Sequence, residues 1–244
     1  YTSTWVKVGS FEEVLNNFKA SYFAGALLLN QDRLVEDIQH FFSQDKWRPE
    51  LLLQLMEKYN TSPETLLHRL TSLLPKFFGI KQLFFLRFQH QQETDSYYLT
   101  KELHLAGLHN PHASFLNEHY CRRWISITLL EQAEQEEQLG NTLVGIQRSS
   151  YINSDNEYLV LALAQPAENR HGTVSIGLLI NENLKNKVRF LNDPAILNRL
   201  VNETCERCPA LNCLERAAPP AILEKQLWQE KLTETIDGLI KGGR

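Results

Sequence analysis

SPETLLHRLTSLLPKFFGIKQLFFLRF, residues Ser62 to Phe88, contains the change of hydrophobic period that decides the fold class. In its first part Leu66, Leu67, Leu70, Leu73, Leu74, Phe77 and Phe78 recur at helical spacing and make one apolar stripe. Ser62 before Pro63 is a helix start: the hydroxyl caps a first turn that proline fits without losing a needed donor. Thr61 with Glu64 offers an alternative capping box one residue earlier. Pro75 predicts a kink in the last turn, and Gly79 ends the helix. From Leu83 to Phe88 the pattern turns into a short, continuous apolar run, the signature of a buried strand.

Working outward, the N-terminal side is helical and the C-terminal side is mostly strands. Ser10 and Glu13 fit a capping box, followed by Phe11, Val14, Leu15, Phe18 and Tyr22 on a helical stripe. A second helix starts near Pro49 and carries Leu52, Leu55, Met56 and Tyr59. After the first strand, Tyr97, Leu99, Leu103 and Leu105 alternate with polar residues as a half-buried strand does. Residues 106–117, rich in Gly, His, Asn and Pro, read as loop, and Phe115 to Leu130 favours helix. Val144 to Tyr151, Tyr158 to Ala164 and Thr173 to Ile180 are three further strands. Asp193-Pro194 is expected to open a short helix to about Asn202, and Pro219-Pro220 precedes a final helix with Trp228, Leu232, Ile236, Leu239 and Ile240 on one stripe. Helices, then strands, then a helix argue for an α+β fold: a mostly antiparallel sheet with flanking helices. The expected organisation is a helical segment over residues 1–60 and an α+β domain over residues 61–244.

The composition excludes several classes. The chain has 244 residues, 43% hydrophobic and 22% charged, with a net charge of −4 and a pI near 6.1. No global basic field attracts nucleic acid or an anionic membrane. No apolar run is long enough to span a bilayer, and no signal-like region follows Tyr1. The reading is a cytoplasmic protein, and the non-Met start suggests a piece of a longer one. No G-x-S-x-G, P-loop or dinucleotide fingerprint is present, so the chain is not expected to be an enzyme.

Three of the four cysteines, Cys205, Cys208 and Cys213, crowd into nine residues with C-x2-C-x4-C spacing. In a reducing cytosol that crowding reads as metal binding or redox chemistry rather than a disulfide framework. Three thiolates from one loop plus a distant fourth is the habit of cluster-binding runs, and Cys121 is the remaining cysteine. The expectation is a [4Fe–4S] cluster, with structural zinc as the alternative. Plain buried thiols are the bland reading, which suits Cys121 better than the polar segment holding the other three.

Three stretches resemble a bacterial regulator family, the short-chain fatty-acyl-CoA regulators, which include propionate-catabolism regulators. NNFKASYFAGALLL (Asn16 to Leu29) looks like the end of an ImmA/IrrE-like region, Ser62 to Phe88 like the start of the C-terminal sensor, and CERCPALNCLERAAPP (Cys205 to Pro220) like its cysteine-rich tail, with Arg216 in place. The resemblance implies a cytoplasmic, homodimeric transcription factor whose GAF- or PAS-like ligand-sensing domain, over residues 61–244, binds an acyl-CoA and in some members a [4Fe–4S] cluster. DNA contact would run only through an N-terminal helix-turn-helix that this chain does not contain. No H-E-x-x-H is present, and Lys19 occupies a region where such peptidases carry an acidic ligand, so peptidase activity is not implied.

The ligand candidates are Arg122, Arg123 and Trp124, two guanidiniums and an indole that suit CoA phosphates and an adenine ring. Arg87 is the lone charge in an apolar strand, and Phe85 is a candidate wall of an acyl pocket. Against these stand ordinary readings: arginines paired with the acidic run Glu131 to Glu137, and aromatics simply packed in the core. His109, His112 and His119 share a loop region but match no standard metal spacing.

Overall fold

A computed structural model describes residues 9–91, 96–105, 118–135, 141–152, 154–165 and 172–242. The expected loop at 106–117, with His109 and His112, lies outside the described residues, as do Glu136 and Glu137.

The N-terminal helices form where the pattern placed them. Helix α1 spans Phe11–Leu28, and the Ser10 side chain accepts from the Glu13 N–H. Helix α3 spans Pro49–Tyr59, and α4 spans Pro63–Leu73 with Ser62 accepting from the Thr65 N–H at 3.2 Å. Between α1 and α3 lies a helix the sequence reading passed over, α2, Gln31–Phe42. The Asn30 side chain caps it, and Leu34, Ile38, Phe41 and Phe42 are buried, a stripe at i, i+4, i+7 and i+8. At Pro75 the chain adopts a π-helical turn over Leu74–Phe78. Proline carries no N–H to continue the ladder, and Gly79, at φ 68°, takes the left-handed conformation that stops it.

The sheet has six strands among the described residues: β1 (Leu83–Gln91), β2 (Ser96–His104), β3 (Leu143–Tyr151), β4 (Glu157–Gln165), β5 (Gly172–Leu179) and β6 (Leu197–Val201). Their spatial order is β2-β1-β5-β4-β3-β6. All neighbours are antiparallel except β3 and β6, which run parallel. Tyr158 to Ala164, an unbroken apolar run, forms a strand buried on both faces, and its place between β5 and β3 requires that.

The last strand corrects an expectation. Asp193-Pro194 does not open a helix to Asn202. The Asp193 carboxylate instead accepts from the Trp47 N–H at 2.7 Å and the Ala195 N–H at 2.9 Å, closing a local turn. Leu197–Val201 then leaves extended and pairs with Gln147 to Tyr151.

Side-chain alternation sends the sheet into two apolar layers. Leu83, Phe85, Leu159, Leu161, Leu163 and Ile176 face one side and form a single core with Leu34, Ile38, Leu52, Leu66 and Leu70 from α2, α3 and α4. Phe84, Leu86, Phe88, Tyr158 and Val160 face the other, where they meet Cys121, Trp124 and Leu130. Helix α5, Ile125–Gln135, covers that second face. Ser126 Oγ donates to Ser175 Oγ, and Thr173 Oγ1 donates to the Ser126 carbonyl, both at 2.8 Å, pinning α5 to β5 through satisfied buried groups. A short helix α6 (Glu182–Lys187) and a 3-10 turn (Arg189–Asn192) precede β6. Helix α7, Ala221–Gly242, follows the cysteine-rich loop. Among the described residues no helix is long and apolar enough to cross a membrane.

Candidate functional site

The site grows from a small strand crossing. Tyr120 bridges Thr204 in antiparallel sense, with the Cys121 N–H donating to the Glu203 carbonyl at 3.2 Å and the Cys205 N–H to the His119 carbonyl at 2.8 Å. The chain then turns through Arg122 and Arg123. The Trp124 N–H bonds the Cys121 carbonyl, and the Trp124 carbonyl accepts from Ile127 and Thr128 to start α5. The crossing therefore brings the Cys121 turn and the cysteine-rich loop side by side.

Ion pairs hold the loop in place. Arg207 grips Glu118 with two bonds, 2.8 Å from Nε and 2.7 Å from Nη2, and Thr204 Oγ1 donates to the same carboxylate. Glu215 accepts from Arg123 Nε at 2.9 Å and from Arg199 Nη2 at 2.7 Å. The hydrogen bond from Arg123 holds the Glu215 carboxyl below its ordinary range. Arg216 donates to the carbonyls of Cys205, Cys208, Ala210 and Ala218. Glu206 accepts from the His119 N–H and pairs with the His119 ring, while its carbonyl accepts from Ile222 and Leu223 at the start of α7.

This arrangement overturns the metal expectation. Among the described residues no group of three or more His, Cys, Asp or Glu side chains is placed to hold a metal ion. All four cysteines are free thiols, and neither the [4Fe–4S] cluster nor the alternative zinc site is formed by Cys121, Cys205, Cys208 and Cys213. Three of the thiols have local partners of their own. Cys121 is packed into the aromatic layer, Cys205 Sγ accepts from the Ala217 N–H at 3.4 Å, and Cys213 Sγ lies 3.6 Å from the Glu215 carboxylate. Burial pushes the Cys121 thiol up to about 11, with smaller upward pushes from Cys205 and Cys208, so it is protonated at neutral pH. The loop is centred on the fixed charge of Arg216, which satisfies carbonyls that a tight turn leaves unpaired.

The five ligand candidates are divided by the sheet. Arg122, Arg123 and Trp124 share one turn on the α5 side. Phe85 and Arg87 belong to the opposite side: Phe85 is fully buried with its ring edge-on to His68, and Arg87 lies 3.6 Å from Glu64 of α4. Trp124 is 4% exposed and packs between Phe88 and Tyr120, so its indole is an inner wall.

A cleft of about 410 Å³ opens beside the Arg122 turn, lined by Arg122, Thr128, Glu131, Arg199, Leu214, Glu215, Arg216 and Ala217. Three guanidiniums outnumber two carboxylates there. Arg122 lies over the Tyr97 ring at 4.2 Å, and its pair with Glu131 is loose at 3.9 Å. Tyr97 donates to Glu131 at 3.0 Å, and burial, reinforced by that carboxylate, raises its phenol well above the ordinary value. Among the described residues, Glu131 is thus the member of the predicted acidic run that meets an arginine of the turn. Sequence reasoning missed Arg199 because its strand was read as helix. It noted Arg216 as part of the tail, but local spacing carries no sign that this side chain reaches back to four carbonyls.

Comparison with protein-family models, with curated proteins and with solved structures finds no match for this chain.

Proposed function

We propose that the chain is the effector-binding domain of a cytoplasmic bacterial transcriptional regulator, taking an acyl-CoA-type ligand at the arginine-lined cleft beside the cysteine-rich loop. The observation that carries this reading is the convergence of Arg122, Arg199 and Arg216 on one cleft. Guanidiniums suit phosphate recognition because their planar donors meet two oxygens at once. Among the described residues the carboxylate pairing of Arg122 is the loose one with Glu131 at 3.9 Å, whereas Arg199 bonds Glu215 at 2.7 Å. Leu214, 99% exposed, offers an apolar contact at the rim. The antiparallel sheet with helices on both faces accords with the GAF- or PAS-like sensor expectation. The role is binding rather than catalysis, and DNA contact is assigned to a helix-turn-helix outside this chain.

A homodimer belongs to the same reading. Helix α7 carries Trp228, Leu232, Ile236, Leu239 and Ile240 on one stripe, all at least 44% exposed. Leu232 and Leu239 stand seven residues apart, the repeat with which two copies of one helix pack. A protein-interaction module without a small ligand is the second reading, and this same stripe favours it.

Calorimetric titration with coenzyme A and a short acyl-CoA separates the two. The sensor reading expects saturable binding that weakens about tenfold or more in Arg122→Gln. No binding by the wild type, with dimerisation through α7 in sedimentation, favours the interaction module.

A further inference from the structure

We propose that the cleft between α1 and α4 is a separate ligand site that takes a compact oxyanion, a carboxylate or phosphate, on the guanidinium of Arg69. It lies across the sheet from the Arg122 cleft and does not depend on the acyl-CoA reading.

Arg69 is 5% exposed, and its Nε and Nη1 are buried with no hydrogen-bond partner among the described residues. The Tyr22 ring lies 5.2 Å from the guanidinium carbon. A ring quadrupole offsets part of the desolvation, but Nε and Nη1 still lack hydrogen-bond acceptors among the described residues. Buried charge without a hydrogen-bonded partner is costly, and an oxyanion supplies what the in-plane fork lacks.

The surroundings are positive although the whole chain carries −4. Among the described residues Glu64 is the one acidic residue lining the cleft, and it is already shared: Lys101 Nζ approaches it at 3.2 Å and Arg87 Nε at 3.6 Å. In the cleft lining two cations, Arg69 and Lys101, therefore stand against one carboxylate that Arg87 also approaches. His68 lines the same space, and burial, followed by the charge of Lys101, lowers its pKa, keeping it a neutral hydrogen-bonding ring. Ser21 and Ser72 line it as well and bring hydroxyls.

Size restricts the ligand. The cleft holds about 240 Å³, below the ~300 Å³ at which drug-sized pockets begin. A nucleotide does not fit, whereas an inorganic ion or a short acid does. Gly25 also lines the cleft, and a Cβ there would meet nothing within 4 Å. Glycine inside a helix costs about 1 kcal/mol against alanine, and at this position a larger side chain has open space to grow into. Helix α1 has no buried residue, so a ligand held between it and α4 would clamp it down.

Titration of the chain with inorganic phosphate and with acetate, followed by calorimetry and by hydrogen exchange in α1, tests this. At least one probe is expected to bind saturably and slow exchange over residues 16–28, and the stronger probe identifies the oxyanion. Arg69→Gln is expected to weaken binding at least tenfold. Gly25→Leu keeps Arg69 and favours the helix, and it is expected to block binding with wild-type circular dichroism and a melting temperature no lower than that of the wild type. If Arg69→Gln does not fold, Gly25→Leu decides alone. Failure of both probes to bind the wild type, or binding that survives either folded variant, overturns the proposal.

Discussion

Nη1 of Arg216 donates to the carbonyl of Cys205 at 2.7 Å, so the cysteine-rich loop is centred on a guanidinium. The same side chain reaches Cys208, Ala210 and Ala218 carbonyls. Arg216→Met removes the donors and leaves those acceptors to water or to nothing. Charge-assisted bonds contribute about 1.5–3 kcal/mol each before non-additivity, and water compensates where it enters, so the net loss is about 2–4 kcal/mol. Urea unfolding reads that loss, and limited proteolysis between Cys205 and Pro220 should speed up. Unchanged stability and cleavage would show that the loop is held otherwise.

Gly177 and Phe84 face each other across the β5–β1 pair. A Cβ on Gly177 would overlap the Phe84 ring, which is buried and tilted against Tyr158 at 5.2 Å. Gly177→Ala therefore drives a large ring from a packed layer, at about 1–3 kcal/mol. Phe84→Leu makes room for the methyl, so the double variant should lose less than the two single losses added together. Thermal melts of the four proteins in this cycle check the coupling.

The parts legible in sequence are those fixed locally. Ser62-Pro63 caps α4 through a hydroxyl three residues from its donor, and the period change at Leu83 marks a real strand. The features that escaped are tertiary. A five-residue segment such as Leu197–Val201 has no period long enough to distinguish strand from helix, and its pairing with β3 is set by partners fifty residues earlier in the chain. Helix α2 did carry a readable stripe, but its start directly behind Leu27 to Leu29 hid the boundary that Asn30 marks. The cysteine spacing suggested shared ligation, whereas among the described residues no metal-holding group forms, and Cys205 and Cys213 bond different partners. The arginine cleft draws on residues from the α5 turn, β6 and the tail, and no local pattern links them.

Glu215 ties that cleft together by accepting from Arg123 and Arg199. Its folded pKa is depressed below the ordinary 4.5, chiefly by the Arg123 bond. The stability it contributes is therefore present above about that pH and is lost as pH falls through the depressed value. Melting temperature measured from pH 7 down to pH 3 should fall more steeply in the wild type than in Glu215→Gln. The two curves should converge at the acid end. Parallel curves would mean that the carboxylate contributes nothing specific.

Cys121 gives the opposite sign at high pH. Its thiol is raised from an ordinary 9.0 to about 11 by burial. The folded state then holds a proton that the unfolded state releases, so stability is intact below pH 9 and declines as pH rises through 11. A difference of that size corresponds to about 2–3 kcal/mol. Buried tyrosines such as Tyr151 add to the decline, so the contribution of Cys121 is read as the difference between wild type and Cys121→Ala over that interval. The same burial fixes the order of thiol labelling. Cys213, the one cysteine that is not buried, should react first with an aromatic disulfide reagent at pH 8, and Cys121 only as the protein unfolds. Rapid labelling of Cys121 in the folded protein would contradict its place in the aromatic layer.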